Sequence, residues 1–145
     1  MKVVPDSNLV VAQIIPLPYS QVAIRKIQQW QEQKAELVVP TLWSYEVVST
    51  LRKAVASGVI SSEMATDALE AVLSIEILQI PPSQSLHQRA LDWAARLNQI
   101  VAYDAAYVAL AESEGAEFWT ADQRLANAAV QAGASWVHHI SESSA

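Results

Sequence analysis

The sequence contains no cysteine, which excludes disulfide bridges, zinc sites built on thiolates and a cysteine nucleophile. It has only three glycines (Gly58, Gly115 and Gly133), and none falls in the G-x-G-x-x-G or G-x-x-x-x-G-K-[ST] spacing of the common phosphate-binding loops. The G-x-S-x-G motif of α/β-hydrolases is also missing, so a serine hydrolase has no support. The chain must therefore carry its chemistry on other groups.

Basic residues are scarce as well. Nine Lys and Arg stand against 15 Asp and Glu, and the net charge of −6 is unusual for a protein that binds nucleic acid. No apolar run is long enough to cross a bilayer, and the apolar stretch from Leu9 to Leu17 is broken by Gln13 and Pro16, which argues against a signal peptide. We therefore expect a cytoplasmic protein without a membrane partner.

The overall composition is that of a globular protein. With 145 residues, 52% of them hydrophobic and 17% charged, we expect one domain over residues 1–140 and a frayed tail over residues 141–145. Five tryptophans add to an apolar content that suggests more apolar surface than one small core can bury. We therefore expect a homodimer.

Short apolar strands alternate with helices along the chain. The predicted strands are Lys2–Val4, Glu36–Val39, Ile75–Ile80, Glu117–Thr120 and Ser135–His138. Helices are predicted over about Ser7–Ile15, from an N-cap at Ser20 past Trp30, from an N-cap at Thr41 to Gly58, from Ser61 or Ser62 past Leu73, over about Ser83–Asn98, through the segment that ends at Gly115, and over Gln123–Ala132. This order predicts an α/β protein, a three-layer sandwich around a five-stranded parallel sheet.

Asp104 lies in the apolar helical stretch V-A-Y-D-A-A-Y-V-A-L-A, on the same helix face as Tyr107 and Val108. An unpaired charge facing a core is costly, so the residue needs an explanation. It could be a helix N-cap, although the Tyr at the third following position forms no capping box, or it could be a ligand. The apolar residues 100–103 predict that the approach to this helix is buried.

Three further acids are predicted at the same edge of the sheet. Asp6 follows the first strand, Asp122 follows the fourth, and Glu46 lies in the first turns of the helix after the second strand. Singly, Asp6 and Asp122 could be N-caps and Glu46 a solvated residue. Together with Asp104, however, they would crowd one edge, where parallel sheets bind ligands. Converging carboxylates indicate a hard divalent cation, and hence metal-assisted hydrolysis of phosphodiesters.

The sequence resembles the PIN domain family in four places: around Asp6 after the first strand, in S-Y-E-V around Glu46, in Y-D-A-A-Y-V-A-L-A around Asp104, and in T-A-D-Q-R-L around Asp122. The resemblance spans nearly the whole chain and is closest to the VapC-type toxins of bacterial toxin–antitoxin pairs. It implies a PIN-like five-stranded parallel sheet, an endoribonuclease dependent on Mg²⁺ or Mn²⁺, frequent dimers and a VapB-like antitoxin.

Carried over by position, the resemblance also implies the site residues. The catalytic and metal-binding acids would be Asp6, Glu46, Asp104 and Asp122, supported by the polar residues Ser7, Asn8 and Thr120. Arg52, Lys53 and Arg124 are weaker candidates for contacts with RNA phosphates, while the Arg25–Lys26 and Arg52–Lys53 pairs are otherwise expected on solvated helix faces. Without the four acids the net charge is only −2, which reduces the repulsion of RNA.

Two positions depart from the family pattern. Pro5 precedes the first acid and would remove one hydrogen bond of the sheet if the first strand is central. Leu125 stands three residues after Asp122, where some relatives carry a further acid, so a second metal ion is left open.

Two alternatives to a nuclease remain. A phospho-acceptor signalling domain would need an Asp after the third strand and a Lys after the fifth, but the chain has Pro81–Pro82 and Ser141–Glu142 there. A PIN-like protein that acts mainly by binding a partner, with weak or no nuclease activity, is separated from the nuclease only by an assay.

Overall fold

Strands and helices alternate through residues 1–142, the part of the chain that this computed structural model describes. In chain order the elements are β1 (Lys2–Pro5), α1 (Ser7–Val11), α2 (Ser20–Glu32), β2 (Glu36–Pro40), α3 (Leu42–Ala56), α4 (Ser62–Leu73), β3 (Ile77–Ile80), α5 (Gln84–Arg96), α6 (Tyr103–Glu114), β4 (Glu117–Thr120), α7 (Gln123–Gln131) and β5 (Val137–His139). The five strands form one parallel sheet in the order β3-β2-β1-β4-β5, which confirms the predicted α/β fold.

Helices cover both faces of the sheet, because neighbouring residues of each short strand point to opposite faces and both faces are apolar. On one face, Val4 and Phe118 lie in a core shared with α3, α5, α6 and α7. On the other, Val3 and Trp119 pack with Trp30 of α2, whose ring centre lies 6.0 Å from that of Trp119. The predicted three layers are therefore present. Within residues 1–142, no helix is both long and apolar enough to cross a membrane.

The strand order reverses between β1 and β4, since the chain first builds the sheet outward from β1 through β2 to β3 and then returns to add β4 and β5. The crevice beyond the carboxyl ends of the strands at such a reversal is where α/β sheets bind ligands. Asp6 leaves β1 and Asp122 follows β4, so both acids lie at this crevice.

Pro5 is tolerated in the central strand because it is the last residue of β1. The amide of Asp6 donates to the carbonyl of Trp119 on β4 at 2.9 Å. Amides alternate in direction along a strand, so an amide at position 5 would face β2, whose register with β1 extends only to the Val3–Leu37 pair. The missing donor therefore falls where the ladder has already ended.

The first two helices differ from their predicted boundaries. Helix α1 ends at Val11 rather than at Ile15, because the amides of Gln13 and Ile14 bond to carbonyls three residues back and form tight turns. Ser20 is not an N-cap: its hydroxyl accepts from the amide of Leu17 at 2.8 Å and so closes the loop before α2. Thr41 is the N-cap of α3, as predicted, although its side chain makes no capping hydrogen bond.

The third strand is shorter than predicted at its start. The amide of Ile75 bonds to the carbonyl of Val72 at 3.2 Å, which still belongs to the last turn of α4. The strand therefore begins at Ile77 rather than at Ile75.

The last strand is displaced by two residues at its start. The amide of Ser135 closes a turn on the carbonyl of Gly133, so β5 runs over Val137–His139. Beyond it, the amides of Ser141 and Glu142 both bond to His139, whereas residues 143–145 of the predicted tail lie outside the described residues.

Candidate active site

Asp6 is buried at the end of β1, with only 8% of its surface exposed. It occupies the N-cap position of α1, as the cap interpretation predicts, although its side chain makes no capping hydrogen bond. Instead its Oδ2 accepts from the hydroxyl of Thr120 at 2.7 Å. The carboxylate is thus held toward the end of β4, as a site residue would be.

The predicted supporting residues surround this bond. The oxygen of Thr120 also accepts from the side-chain amide of Asn8 at 3.4 Å and from the backbone amide of Asp122 at 3.0 Å. The hydroxyl of Ser7 lies 3.4 Å from Oδ1 of Asp6. Ser7, Asn8 and Thr120 therefore link the ends of β1 and β4 into one polar network.

Glu46 reaches the same network from α3. Its Oε1 accepts from the hydroxyl of Tyr107 at 2.5 Å and lies 3.4 Å from the hydroxyl of Ser7. The side chain is half-buried, so the interpretation of Glu46 as a solvated helix residue is wrong. Tyr107 itself was predicted only as a core residue. The signal that could have identified it is a hydroxyl one helical turn after Asp104, on a face otherwise made of Ala and Val.

Asp104 and Asp122 lie further out at the rim of the crevice. Asp104 is the second residue of α6 and makes no capping bond, and its Oδ2 accepts from the side-chain amide of Gln99 at 3.3 Å. The N-cap interpretation of Asp104 is therefore wrong. The N-cap interpretation of Asp122 is confirmed, because the side chain of this exposed residue caps α7 by accepting a hydrogen bond from the amide of Leu125 at 3.1 Å.

The approach to Asp104 is exposed, in contrast to the prediction. Ile100 is fully exposed, and Val101 and Tyr103 are each more than half exposed. The reason is that α6 begins only at Tyr103 and first enters the core at Ala105. The rim beside the acids is consequently apolar.

The four acids interact as charges of the same sign. The pKa of Asp6 is raised to about 7, mainly by burial and in part by the charges of Glu46 and Asp104, against the opposing hydrogen bond from Thr120. Burial likewise raises the pKa of Glu46, with a contribution from the charge of Asp104. Burial also raises the pKa of Asp104, helped by the charge of Asp122. Among residues 1–142, none of these acids forms an ion pair with a basic side chain.

The donor groups fit a hard divalent cation, since they are carboxylate, hydroxyl and amide oxygens. Beside Asp104, the buried Oε1 of Gln99 has no hydrogen-bond partner within the described part of the chain, which marks an acceptor left open at the rim. Over the same residues, however, no three acidic or histidine side chains lie close enough together to hold a metal ion. The acids are therefore gathered at one edge without being closed around an ion.

The residues predicted to contact phosphate do not bond to the acids in the described part of the chain. Arg52 and Lys53 are exposed on α3, and Arg124 is exposed at the start of α7. In residues 1–142 none of the three makes a hydrogen bond or ion pair with the four acids, so the structure does not bring them into the site.

Lys26 is buried, so its prediction as part of a solvated pair is wrong, whereas Arg25 is exposed as expected. The ammonium of Lys26 lies 3.9 Å from the centre of the Trp119 ring. Its aliphatic chain thus runs along the α2 side of the sheet, away from the acids.

Comparison with known proteins shows the family of the chain. Residues 3–131 match the sequence model of the PIN domain. Ribonuclease VapC3 of Pyrobaculum aerophilum is 32% identical over 127 residues, which cover 87% of this chain and 93% of that protein.

Solved structures show the same fold. VapBC2 from Rickettsia felis, bound to a DNA fragment from its promoter, has a TM-score of 0.70 at 13% identity and covers 96% of this chain and 98% of its own. A toxin–antitoxin complex from Klebsiella pneumoniae has a TM-score of 0.69 at 15% identity, with 95% and 97% covered. By its sequence match over most of its length, this chain belongs to the PIN domain family.

Proposed function

We propose that the protein is a metal-dependent endoribonuclease, the toxin of a VapBC-type toxin–antitoxin pair. The observation that carries this proposal is the buried Asp6, whose charged neighbours Glu46 and Asp104 are anions as well. A fold gains nothing from such an arrangement, and strongly perturbed acids in a crevice are typical of functional sites. A relative that is 32% identical carries the name of a ribonuclease, which supports the same activity.

The acids Asp6, Glu46, Asp104 and Asp122 would hold Mg²⁺ or Mn²⁺. When bound, such an ion supplies positive charge for the phosphate and a water acidic enough to act as nucleophile. The protein's own residues orient the carboxylates that would bind the ion. Thr120 orients Asp6, and Ser7 lies between Asp6 and Glu46, so these two carboxylates are held at the inner side of the crevice.

The substrate would approach from the outer side. Asp122 is exposed and Asp104 is half-buried, whereas Asp6 is buried, so the site opens at the rim of α6 and α7. Arg124, two residues after Asp122, and the exposed Arg52 and Lys53 are the basic groups we propose for distant phosphate contacts. Neutralising the acids leaves a net charge of −2, which makes an RNA substrate compatible with the composition.

We also propose a VapB-like antitoxin as partner, in the cytoplasm where RNA is available. The support is the likeness of the fold to chains of a VapBC assembly and of a toxin–antitoxin complex. Co-expression with a neighbouring small open reading frame should yield a complex that co-purifies and no longer cleaves RNA.

A homodimer is a further proposal. Large apolar side chains are exposed on several helices, among them Tyr45, Val48, Met64 and Leu91, and a second copy could cover some of them. Light scattering at micromolar concentration should give about twice the monomer mass, and a monomer would contradict the proposal.

A second candidate function is partner binding with weak or no nuclease activity. It is favoured by one observation, namely that the acids of the described residues are not closed around an ion.

An RNA cleavage assay separates the two functions. Structured RNAs are incubated with the purified protein in Mg²⁺, in Mn²⁺ and in EDTA. We expect internal cleavage with either metal, loss of cleavage in EDTA and loss in Asp104→Asn. The matched control is Asp92→Asn, because Asp92 is exposed on α5 and, among residues 1–142, bonds only to Gln88. Cleavage that persists in EDTA would contradict the metal mechanism, and no cleavage by the wild type under any condition would favour partner binding.

A further inference from the structure

Tyr107 connects the apolar core to the acids of the crevice. Its side chain is only 1% exposed, and its ring stacks on Phe118 of β4 with the ring centres 5.2 Å apart and an interplanar angle of 16°. The packed ring fixes where the hydroxyl can lie. That hydroxyl donates to Oε1 of Glu46 on α3 at 2.5 Å, across a separation of 61 residues in sequence.

The bond from Tyr107 is the firm constraint on the Glu46 carboxylate. The other donor nearby is the Ser7 hydroxyl, which lies 3.4 Å from both Glu46 and Asp6 and has only one proton to share between them. The Tyr107 bond is much shorter, and it comes from a ring that cannot turn away. It therefore holds a long, flexible side chain toward Asp6 instead of leaving it free to extend into water.

A comparison with a second tyrosine shows that a tyrosine hydroxyl in this protein does not need a carboxylate as its hydrogen-bond partner. A tyrosine with little access to water needs a partner for its O–H, and a backbone carbonyl is sufficient. The hydroxyl of Tyr19 bonds in this way to the carbonyl of Asn8 at 3.3 Å. Tyr107 instead donates to one oxygen of a carboxylate that is already next to other carboxylates.

We propose that Tyr107 is a positioning residue, whose hydroxyl holds Glu46 beside Asp6 so that Glu46 can serve as a ligand for a divalent cation. This inference rests on the proposed function. In this role Tyr107 contacts neither the cation nor the substrate, and it acts only through Glu46. Residues that orient metal ligands typically change metal affinity about 10–100-fold when they are replaced.

The test is Mn²⁺ binding to Tyr107→Phe, measured by titration calorimetry without RNA. Phenylalanine keeps the ring that stacks on Phe118, so the urea midpoint in EDTA should stay close to that of the wild type. We expect the dissociation constant for Mn²⁺ to rise about tenfold or more. Excess Mn²⁺ should then restore RNA cleavage toward the wild-type rate, which a purely structural defect would not allow.

The matched control is Tyr103→Phe, which removes the same hydroxyl from an exposed residue of the same helix. It should bind Mn²⁺ as the wild type does. Equal Mn²⁺ affinity of Tyr107→Phe and the wild type would overturn the inference alone, and so would an equal loss in both tyrosine variants. A wild type that binds no Mn²⁺ would overturn the proposed function and, with it, the role of Tyr107.

Discussion

Asp6 and Lys26 are both charged side chains that the fold buries to almost the same extent, with 8% and 7% of their surfaces exposed. They lie in different regions. Asp6 ends β1 at the crevice, while Lys26 belongs to α2, which covers one face of the sheet. Burying a charge is costly unless other groups compensate for it, so the surroundings of the two residues can be compared directly.

The groups around Lys26 are negatively charged or electron-rich, opposite in sign to its own charge. Its ammonium lies over the electron-rich face of Trp119 and donates to the carbonyl of Glu142 at 3.3 Å. Burial lowers the pKa of Lys26, and the nearby carboxylates of Glu117 and Glu142 counteract that shift. This is how a structural buried charge is accommodated.

The surroundings of Asp6 have the same sign as its charge. The hydroxyl of Thr120 donates to it, but its charged neighbours Glu46 and Asp104 raise its pKa further. The fold therefore supplies compensating charge on the α2 side and, among residues 1–142, none at the crevice. We infer that a ligand supplies it there, and the predictions below test that contrast.

The largest expected effect is on catalysis. Asp6→Asn removes the most buried carboxylate, and because a bound metal ion contributes several kcal/mol to the transition state, RNA cleavage should fall at least about 100-fold. The free energy of unfolding in EDTA should stay the same or increase, since repulsion between carboxylates is relieved. Gel assays of cleavage and urea unfolding give both values. A variant that is inactive only because it is less stable would contradict this prediction.

The next effect is on the pH dependence of stability. Unfolded, Asp6 loses its proton near pH 4, whereas in the folded protein it does so near pH 7. Between these values the folded state binds more protons, so its free energy of unfolding falls as pH rises. From pH 5 to 7.5, without metal, the wild type should lose about 2–3 kcal/mol more than Asp6→Asn. Parallel pH curves of the two proteins, from urea unfolding, would show that Asp6 is compensated after all.

A smaller effect on stability, of opposite sign, is expected when Lys26 is replaced, because the charge of Lys26 is compensated by its surroundings. Lys26→Ala removes the cation over Trp119 and the packing of its aliphatic chain, and should destabilise the protein by about 1–2 kcal/mol. Arg25→Ala, next to it on the exposed side of α2, should change stability by less than about 0.5 kcal/mol. Urea unfolding at pH 7.5 measures both. If Lys26→Ala stabilised the protein, the contrast with Asp6 would disappear.

The smallest effect is stabilisation by metal. Mg²⁺ at about ten times its dissociation constant should stabilise the folded wild type by about 1.4 kcal/mol, or roughly 3–6 °C in Tm. Asp104→Asn should lose most of this shift, while Lys26→Ala should keep it because Lys26 lies away from the acids. Thermal unfolding with and without Mg²⁺ provides the measurement, and identical shifts in wild type and Asp104→Asn would remove Asp104 from the site.

The sequence was sufficient for the fold and for the position of the acids. Apart from β5, which is Val-His-His, each strand is a short, largely apolar run ended by proline or a polar residue, so most of the parallel sheet follows from local pattern. The carboxyl ends of parallel strands meet at one edge of the sheet. Because Asp6 and Asp122 each follow a strand, their sequence positions predicted that both acids lie at that edge.

What the sequence could not predict depends on contacts between distant segments. Tyr107 meets Glu46 from another helix, and Lys26 meets Trp119 from another layer, so neither pairing has a local signal. Local pattern likewise misassigned Ser20, because its hydroxyl bonds backward to Leu17 rather than forward into the helix.

The proposed metal site is tested most directly by locating a cation in crystals soaked in Mn²⁺, using its anomalous scattering. We expect an Mn²⁺ peak coordinated by Asp6 and at least one of Glu46, Asp104 and Asp122. An empty crevice in crystals that hold Mn²⁺ elsewhere, or a peak that contacts none of these four acids, would contradict the proposed metal site.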